Sequence, residues 1–320
     1  METISVIIPA YNAEATIVRA CRSVLEQSHG NVELLVVDDG SRDGTGAAVD
    51  ALAAQDSRVK CIHKENGGVS AARNSALEAM TGDYFTFLDA DDEMEPEALE
   101  SLLDKARETG ADLVCGGFSS VKPDGTILTH RYVEEQTLWM GLEMLENALK
   151  DHPATHTVWG KLYRSSSLGH LRFQPGRNIH EDGYYVFEAA LCRPNMVVTD
   201  IPVIRHYLRV RRSAQEPYSD KFLCLTYFAD KKYEKIQKEY PQYLHLAENI
   251  RIKGRIAMLN SMRLVKGPDA RQQERLAAAF VRSHARYYIP ESRSDQITFW
   301  AARLGLMGLY RRLYCLYARI

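Results

Sequence analysis

Short runs of apolar residues alternate with longer amphipathic segments along the first hundred residues. The apolar runs predict buried strands at Ile4–Ile8, Glu33–Val37, Val59–Ile62 and Tyr84–Leu88. Apolar residues at helical spacing predict helices over about 13–27 and over Val69–Met80, with another helix between the second and third strands. Strands that alternate with helices in this way indicate βαβ units. We therefore expect an α/β fold, with a Rossmann-like, mostly parallel sheet flanked by helices.

The pattern changes beyond about Tyr218, where basic helical segments replace the alternation. We therefore divide the chain into an α/β domain over 1–215 and a helical C-terminal region over 216–320. An apolar stripe of about three heptads predicts an amphipathic, basic terminal helix within 297–320. Its members are Phe299, Ala302, Leu306, Leu309, Leu313, Leu316 and Ile320. Three uses of this helix stay open, namely docking on the protein's own helices, a homo-oligomer seam, and peripheral contact with an anionic membrane.

The net charge of −2 hides an asymmetry between the two ends of the chain. Residues 1–100 hold 7 basic and 19 acidic side chains, whereas residues 201–320 hold 23 basic and 10 acidic ones. The acidic N-terminal part is suited to binding a cation, and the basic C-terminal part is suited to contact with an anionic partner. A solvated charged surface explains the asymmetry equally well. We expect no nucleic-acid partner.

The six cysteines are far apart and none has CxxC spacing, which argues against a zinc site and favours reduced thiols. The first residues lack the basic patch and apolar core of a secretion signal. Nowhere do about eighteen apolar residues follow one another, as a membrane-spanning helix would need. We expect a cytoplasmic protein, either free or peripheral at the inner face of the membrane.

Three polar clusters directly follow predicted strands, at Pro9–Asn12, Asp38–Asp39 and Asp89–Asp92. Ligands of open α/β sheets bind at the carboxyl ends of the strands, so these clusters are expected to face one crevice. Clustered carboxylates repel one another unless a cation or a donor-rich ligand lies among them. The alternative for Asp38 and Asp39 is a capping role for the following helix.

The first strand is followed by no glycine, although a dinucleotide-binding Rossmann site needs a glycine-rich turn at that point. A P-loop is also absent from the sequence. Phosphates would then need another source of positive charge, and the pair Asp89 and Asp91 implies a divalent cation. Hard oxygen ligands suit Mn²⁺ or Mg²⁺.

Four sequence blocks resemble, in order and spacing, the signatures of glycosyltransferase family 2, whose members have the GT-A fold and invert the anomeric centre. The blocks are Ile7–Asn12, Val36–Thr45, Asn66–Asn74 and Phe87–Asp92. Two later blocks, Trp159–Tyr163 and His180–Asp182, resemble the bacterial polysaccharide branch. The resemblance covers roughly residues 1–120 and implies transfer of a hexosyl or N-acetylhexosaminyl group from a nucleotide-sugar, most often a UDP-sugar. The acceptor would be a hydroxyl of a glycan or a lipid-linked intermediate of surface polysaccharide.

The resemblance also implies a role for each residue that matches a motif. Asp39 would accept the ring N–H of uracil, and an aromatic ring nearby offers stacking. The uracil would be held by the loop that contains Pro9, Tyr11, Asn12 and Glu14.

Further along the chain, the resemblance implies contacts to the rest of the nucleotide. Arg73 would position the nucleotide, with a surface salt bridge as the alternative. Asp89 would contact the ribose, and Asp91 would bind the metal beside the diphosphate. Asp92 is interpreted as the cap of the next helix, with Pro96 in that helix's first turn.

The catalytic base is expected in the acidic pair Glu181–Asp182, because an inverting displacement needs one carboxylate to take the acceptor's proton. The family pattern favours Asp182, with Glu181 as its neighbour or substitute. An acidic helix start explains the pair in structural terms, and the two interpretations are compatible.

Three basic residues are candidates for contact with the diphosphate, namely Lys161, Arg209 and Arg211. Gly160 departs from the family, which often has a polar residue before the lysine. His206 is a candidate metal ligand, with a structural role as the favoured alternative.

A second class of function stays open beside the transferase. The chain could act as a non-catalytic nucleotide-sugar sensor or as a partner subunit of an active enzyme. Metal-dependent release of UDP distinguishes a transferase from both.

Overall fold

The computed structural model describes residues 2–177, 179–208, 220–265, 267–290 and 292–317. The chain forms two compact units. The first unit contains residues 1–148 and 152–211, and the second contains 149–151 and 212–320. Where the structure describes them, Cys21, Cys61, Cys115, Cys192 and Cys224 are free thiols.

A ten-stranded sheet forms the centre of the first unit. Its strands are β1 (Ile4–Ala10), β2 (Val32–Asp38), β3 (Val59–His63), β4 (Tyr84–Phe87), β5 (Glu93–Met94), β6 (Leu113–Val121), β7 (Ile127–His130), β8 (Thr137–Trp139), β9 (Lys161–Arg164) and β10 (Met196–Tyr207). The main order is β3-β2-β1-β4-β9-β6-β10-β5, with β7 paired to β6 and β8 to β10. The four strands expected from the sequence are all present, and the α/β class is confirmed.

The sheet combines two pairing modes. Strands β1 to β4 pair in parallel, as the alternation of strands and helices predicts, and β6 is parallel to β10. Strand β9 lies between β4 and β6 and is antiparallel to both. The sheet is therefore mixed in its second half, where the sequence pattern gave no guide to pairing.

Seven helices accompany the sheet along the described part of this unit. They are α1 (Ile17–Leu25), α2 (Thr45–Ala53), α3 (Val69–Ala79), α4 (Ala98–Thr109), α5 (Glu143–Leu149), α6 (Ser165–Leu168) and α7 (Glu181–Leu191). Helix α1 begins four residues later than expected because Ala13 and Thr16 form a turn, tied to the next loop by the bond from the Ala13 N–H to Thr45 Oγ1. Ile17 and Val24 on α1 are fully buried, which contributes about 1.5–3 kcal/mol for each side chain.

Strand register brings the polar clusters to one edge of the sheet. Ala10, the last residue of β1, lies beside Asp38, the last residue of β2. Ile7 of β1 pairs with Phe87, so Asp89 follows β4 at the same edge. The loops after these three parallel strands therefore meet, as the sequence predicts.

The described part of the second unit consists of helices. They are α8 (Cys224–Glu239), α9 (Leu244–Met262), α10 (Pro268–His284), α11 (Arg293–Arg303) and α12 (Met307–Tyr317). Their apolar faces form a core that includes Ile256, Leu259, Val281, Phe299 and Ala302. Among the described residues, none of the helices has both the length and the apolar character needed to cross a bilayer.

The expected continuous terminal helix is wrong. The chain leaves α11 at Leu304 and enters α12 at Met307, with Gly305 between them in the left-handed region at φ +74°. This break divides the apolar stripe. Phe299 and Ala302 are buried in the core, whereas the side chains of Leu306, Leu309 and Leu313 are 46%, 53% and 56% exposed.

Candidate active site

The loop after β1 is joined to the loop after β2 by hydrogen bonds. Asn12 has a left-handed backbone at φ +49°, its N–H donates to Ser41 Oγ (3.0 Å), and its Oδ1 accepts from the Arg42 N–H (2.9 Å). Glu14 accepts from the Gly44 N–H at 3.1 Å. Asn12 and Glu14 thus hold the two loops together.

Pro9 and Tyr11 lie on either side of the point where β1 ends. Pro9 is half-buried in the sheet opposite Val37, while the Tyr11 side chain is 49% exposed. An exposed aromatic ring beside fixed backbone is suited to stacking on a planar ligand.

Asp39 is buried and organises the turn before α3. Its Oδ1 accepts from Lys64 Nζ (2.6 Å) and the Gly67 N–H (2.9 Å), and its Oδ2 accepts from the Gly68 N–H (2.7 Å). Gly68 has φ +84°, a conformation that a glycine adopts without strain, and it directly precedes α3. Oδ2 accepts one of these bonds and keeps a second lone pair, so it can also accept from a ligand.

A buried arginine forms the centre of the site. Arg73, 3% exposed, donates from Nη1 to Asp182 Oδ1 (2.6 Å) and Glu181 Oε1 (3.3 Å), and from Nη2 to Asp89 Oδ1 (3.2 Å). The surface salt bridge considered for Arg73 is therefore wrong, because the residue is enclosed. Arg73 joins residues from α3, the end of β4 and the start of α7.

An aromatic wall encloses the Arg73 guanidinium. Its carbon lies 5.2 Å from the ring centre of Phe173 and 5.9 Å from that of Phe87. Tyr185 stacks on Phe173 with ring centres 4.2 Å apart. No motif in the sequence indicates this wall, because its rings come from three distant segments that no local spacing connects.

The carboxylates around Arg73 outnumber it three to one, and this excess perturbs their protonation. Burial, with the charges of neighbouring aspartates, raises the pKa of Asp89 to about 6, although Arg73 opposes the shift and a third of the side chain is exposed. Burial and the charge of Asp182 raise the pKa of Glu181 to about 7. Burial alone would lower the pKa of Arg73, but the three carboxylates raise it, so the guanidinium stays charged.

Glu181 and Asp182 open α7, and the residue before them adopts a rare conformation. His180 has a left-handed backbone at φ +65°. Such backbone strain in a residue other than glycine is concentrated at functional sites. The Asp182 side chain is 18% exposed, and its Oδ2 accepts one long bond, 3.4 Å, from the Val158 N–H. Asp182 therefore has one oxygen on the arginine and one that is weakly bonded.

Asp91 and Asp92 follow Asp89 but lie in different surroundings. Asp91 is partly exposed, and its backbone carbonyl accepts from Arg19 Nη2 at 2.8 Å. Asp92 is buried and accepts from His206 Nδ1 and the Tyr207 N–H, both at 2.9 Å. The expected helix cap is wrong for Asp92, because it ties this loop to β10, and Pro96 precedes α4.

His206 has a structural environment. Its ring stacks on Trp159 with centres 5.8 Å apart, and its bond to Asp92 raises its pKa against the opposing effect of burial. These contacts agree with the structural alternative rather than with a metal ligand.

The environment of Lys161 differs from the one that a contact with a diphosphate would need. The residue is fully buried on β9, and its Nζ donates to the Thr157 carbonyl at 2.7 Å. Burial lowers its pKa, with the charges of Cys115 and Asp182 opposing that effect. Arg209 and Arg211 lie outside the described residues.

Comparison with known proteins places these features in a family context. The family model for glycosyl transferase family 2 matches residues 5–171. Glycosyltransferase GlyA of Streptococcus pneumoniae is 35% identical over 192 residues, which is 57% of this chain and 27% of GlyA. The putative teichuronic acid biosynthesis glycosyltransferase TuaG of Bacillus subtilis is 40% identical over 126 residues, or 39% of this chain and 50% of TuaG. The chain thus spans between about a quarter and a half of the length of these two relatives.

A solved structure resembles the whole chain. The crystal structure of residues 1–349 of TarS from S. aureus, in complex with UDP-GlcNAc, superposes with a TM-score of 0.71. The match covers 99% of this chain and 92% of that one at 21% identity. The likeness supports the fold expected from the sequence.

Proposed function

The chain belongs to glycosyltransferase family 2, and we propose that it transfers a sugar, with inversion, from a UDP-sugar to a hydroxyl of a glycan or lipid-linked acceptor in surface polysaccharide synthesis. The observation that carries this proposal is the cluster of Asp89, Glu181 and Asp182 around Arg73, at the same edge of the sheet as the exposed ring of Tyr11. The name of TuaG and the UDP-GlcNAc in the TarS complex support the substrate classes. The transferred group is proposed to be a hexosyl or N-acetylhexosaminyl group.

The nucleotide is proposed to lie across the loops after β1, β2 and β4. Pro9 and Tyr11 form an apolar platform for the uracil, and Asn12 and Glu14 fix the platform by holding two loops together. Asp39 Oδ2 accepts the imide N–H. Asp89 accepts from a ribose hydroxyl, and Arg73 orients Asp89 for this contact.

The donor set suits a divalent cation. Asp91 lies on the rim, and the nearby carboxylates of Asp89, Glu181 and Asp182 exceed the single charge of Arg73. Carboxylate oxygens are hard ligands of the kind that Mn²⁺ and Mg²⁺ prefer. Held by Asp91, such a cation would supply charge neutralisation for a diphosphate leaving group.

Asp182 is proposed as the general base. The 2.6 Å bond from Arg73 holds Asp182 Oδ1 and orients the carboxylate. The weakly bonded Oδ2 then takes the proton from the acceptor hydroxyl while the sugar carbon exchanges its bond to the diphosphate for one to that oxygen. Glu181 is the substitute base if the two roles are exchanged.

Release of UDP tests this proposal against the sensor or partner-subunit alternative. The purified chain is incubated with a panel of UDP-sugars and Mn²⁺, with and without glycan acceptors. A transferase releases UDP from at least one donor, and chelation of the metal stops the release. Binding of a UDP-sugar without any release would favour the non-catalytic alternative.

The Asp91→Asn variant is expected to keep the fold and lose metal-dependent turnover by about 100-fold, the effect of removing several kcal/mol of charge stabilisation. Turnover against Mn²⁺ concentration is the measurement. Asp124→Asn, on an exposed turn where the side chain accepts only locally, is the matched control and should leave turnover unchanged. Normal turnover of Asp91→Asn at the same metal requirement would remove Asp91 as the ligand.

Activity is expected to rise with pH through about 7. Burial and the charge of Asp182 raise the pKa of Glu181 to that value, so below it the pair carries an extra proton and the base is less available. Glu181→Gln removes the interacting charge and should move this limb of the kcat/KM profile to lower pH. A limb that stays in place in Glu181→Gln would mean that another group titrates.

A peripheral contact with an anionic membrane is proposed for the surface of α11 and α12. Ile297, Trp300, Leu304, Leu309 and Leu313 are each about half exposed there. Residues 292–317 hold four arginines and one aspartate, which favours a negatively charged partner. Such a surface is typical of helices that lie in the headgroup region.

Replacing both Leu304 and Leu309 with serine is expected to weaken binding to phosphatidylglycerol vesicles by about 30-fold, from roughly 1 kcal/mol per leucine. Co-sedimentation measures the loss. The double change Ile127→Ser and Leu128→Ser on the exposed strand β7 is the matched control. If the leucine variant instead splits a homo-oligomer and leaves vesicle binding unchanged, the surface is a subunit interface.

A further inference from the structure

A second group of ligand-type side chains lies on the opposite side of β2 from β1, at the edge strand β3. Cys61 and His63 are two residues apart on β3 and therefore point to the same face. Asp50 from α2 meets them there. The candidate ligand atoms of Asp50, Cys61 and His63 all lie within 4.8 Å of one another.

The two ring nitrogens of His63 have separate partners. Nε2 lies 3.0 Å from Asp50 Oδ1, and Nδ1 lies 3.2 Å from Asp38 Oδ2. Histidines that bind a metal through one nitrogen characteristically donate from the other to a carboxylate, which fixes the ring and its tautomer. With Asp38 on Nδ1, Nε2 is the nitrogen that faces Asp50, and loss of its proton frees its lone pair for a metal.

The electrostatic environment of the three residues favours a cation. Two carboxylates, those of Asp50 and Asp38, lie beside His63. His63 is the ion-pair partner of both aspartates. A divalent cation in place of the proton between His63 Nε2 and Asp50 would neutralise the Asp50 carboxylate and stabilise the Cys61 thiolate.

We propose that Asp50, Cys61 and His63 form a zinc site, with Asp38 as the carboxylate that orients His63. Thiolate, imidazole and carboxylate are the ligands that zinc prefers, whereas a thiolate is a poor ligand for Mg²⁺. A water molecule completes the four-coordinate shell. This site is separate from the proposed Asp91 site, whose oxygen donors suit harder ions.

Formation of the site needs only small movements. Tetrahedral zinc with bonds of about 2.0–2.3 Å holds its ligand atoms about 3.3–3.7 Å apart. The His63 and Asp50 atoms must therefore separate by about half an ångström, and the widest pairs must approach by about 1 Å. The side chains of His63 and Asp50 are 51% and 54% exposed, which leaves them room to move. On binding, the Cys61 thiol and the His63 Nε2–H each give a proton to solvent, and metal bonds replace the His63–Asp50 hydrogen bond.

Zinc at this position would stabilise the loop after β1 indirectly, through Asp38 and Ser41. Asp38 Oδ1 accepts from the Ser41 N–H at 3.0 Å, and Ser41 Oγ accepts from the Asn12 N–H at 3.0 Å. Hydrogen bonds through Asp38 and Ser41 thus connect His63 to Asn12. The cysteine spacing did not indicate a zinc site, because the three ligands come from a strand and a helix.

Calorimetric titration with Zn²⁺ alone tests the site. The tag-free chain is first stripped with a chelator, and excess Mg²⁺ is present to occupy harder sites. We expect one zinc per chain with a Kd of about 1 µM or tighter. Cys61→Ser and Asp50→Asn should each weaken binding by at least about 100-fold. Cys192→Ser is the matched control, because that exposed cysteine also lies near a histidine, with Sγ 3.8 Å from His170 Nε2.

The absorption spectrum of the cobalt(II)-loaded protein provides a second test of whether Cys61 is a metal ligand. The cobalt-loaded protein should show a thiolate-to-cobalt charge-transfer band that Cys61→Ser abolishes and Cys192→Ser keeps. If Cys61→Ser unfolds, Asp50→Asn decides through its effect on zinc affinity. Failure to bind zinc in the micromolar range, or a charge-transfer band that depends on Cys192, would overturn the proposal. Neither measurement depends on UDP release. The zinc-site proposal can therefore be disproved while the proposed transferase activity stands.

Discussion

Asp182→Asn is expected to lower kcat by about 10²–10⁴-fold, the usual contribution of a general base. Asparagine is nearly isosteric and its Oδ1 can still accept from Arg73, so the guanidinium keeps a partner at the 2.6 Å contact. The amide cannot take a proton from the acceptor hydroxyl. Steady-state kinetics should therefore show a fall in kcat with little change in donor affinity.

Two comparisons make the Asp182 result specific. Glu181→Gln should cost much less than Asp182→Asn when both are measured above pH 8, which is above the raised pKa of about 7 for Glu181. Near-normal kcat in both variants would remove the pair from catalysis. Loss of donor binding in Asp182→Asn would move this residue to the nucleotide site and leave the base unassigned.

Arg73→Ala is expected to lower the free energy of unfolding by about 3–5 kcal/mol, because it leaves a buried carboxylate cluster without its cation. The guanidinium is 3% exposed and bonds three carboxylates, so water cannot replace it. Urea unfolding followed by circular dichroism is the measurement. Arg42→Ala changes an exposed arginine in the same unit and should alter stability by less than about 0.5 kcal/mol.

The loss of unfolding free energy in Arg73→Ala should increase with pH. The pKa values of Asp89 and Glu181 are raised to about 6 and about 7, above their ordinary values of 3.8 and 4.5. The folded state therefore binds these protons more tightly than the unfolded state, and their contribution to stability falls as pH rises from about 4 to 7. Protonation relieves the repulsion that Arg73 offsets. The variant should be closest to the parent at pH 5 and furthest from it at pH 8, and a loss independent of pH would contradict this account.

The first half of the fold follows from local patterns in the sequence. Strands such as Glu33–Val37 are short and apolar, and the helix after Gly68 starts where a glycine turn allows it, so periodicity alone identifies them. Parallel pairing then brings Asp39 and Asp89 to one edge of the sheet. The position of β9 between β4 and β6 could not be predicted in this way, because an antiparallel insertion depends on contacts between distant segments.

The site itself was only partly predictable. The motifs identified Arg73, Glu181 and Asp182 separately, but their ion pairs join residues more than 100 positions apart. Lys161 and Asp92 have motif-like neighbours and yet are buried by tertiary packing. Nothing in the sequence indicates that Lys161 bonds the Thr157 carbonyl or that Asp92 bonds His206. Gly305 shows the same limit in the second unit, since a heptad pattern continues through a residue whose backbone ends the helix.

The stereochemistry of the released sugar tests the central claim most directly, and it needs no knowledge of the acceptor. A UDP-sugar of known anomeric configuration is incubated with the protein and Mn²⁺, and the first sugar formed by slow hydrolysis is observed by proton NMR before mutarotation. A single displacement assisted by the Asp182 carboxylate predicts that this sugar has the configuration opposite to that of the donor. A sugar that first appears with the donor's configuration would contradict the proposed mechanism.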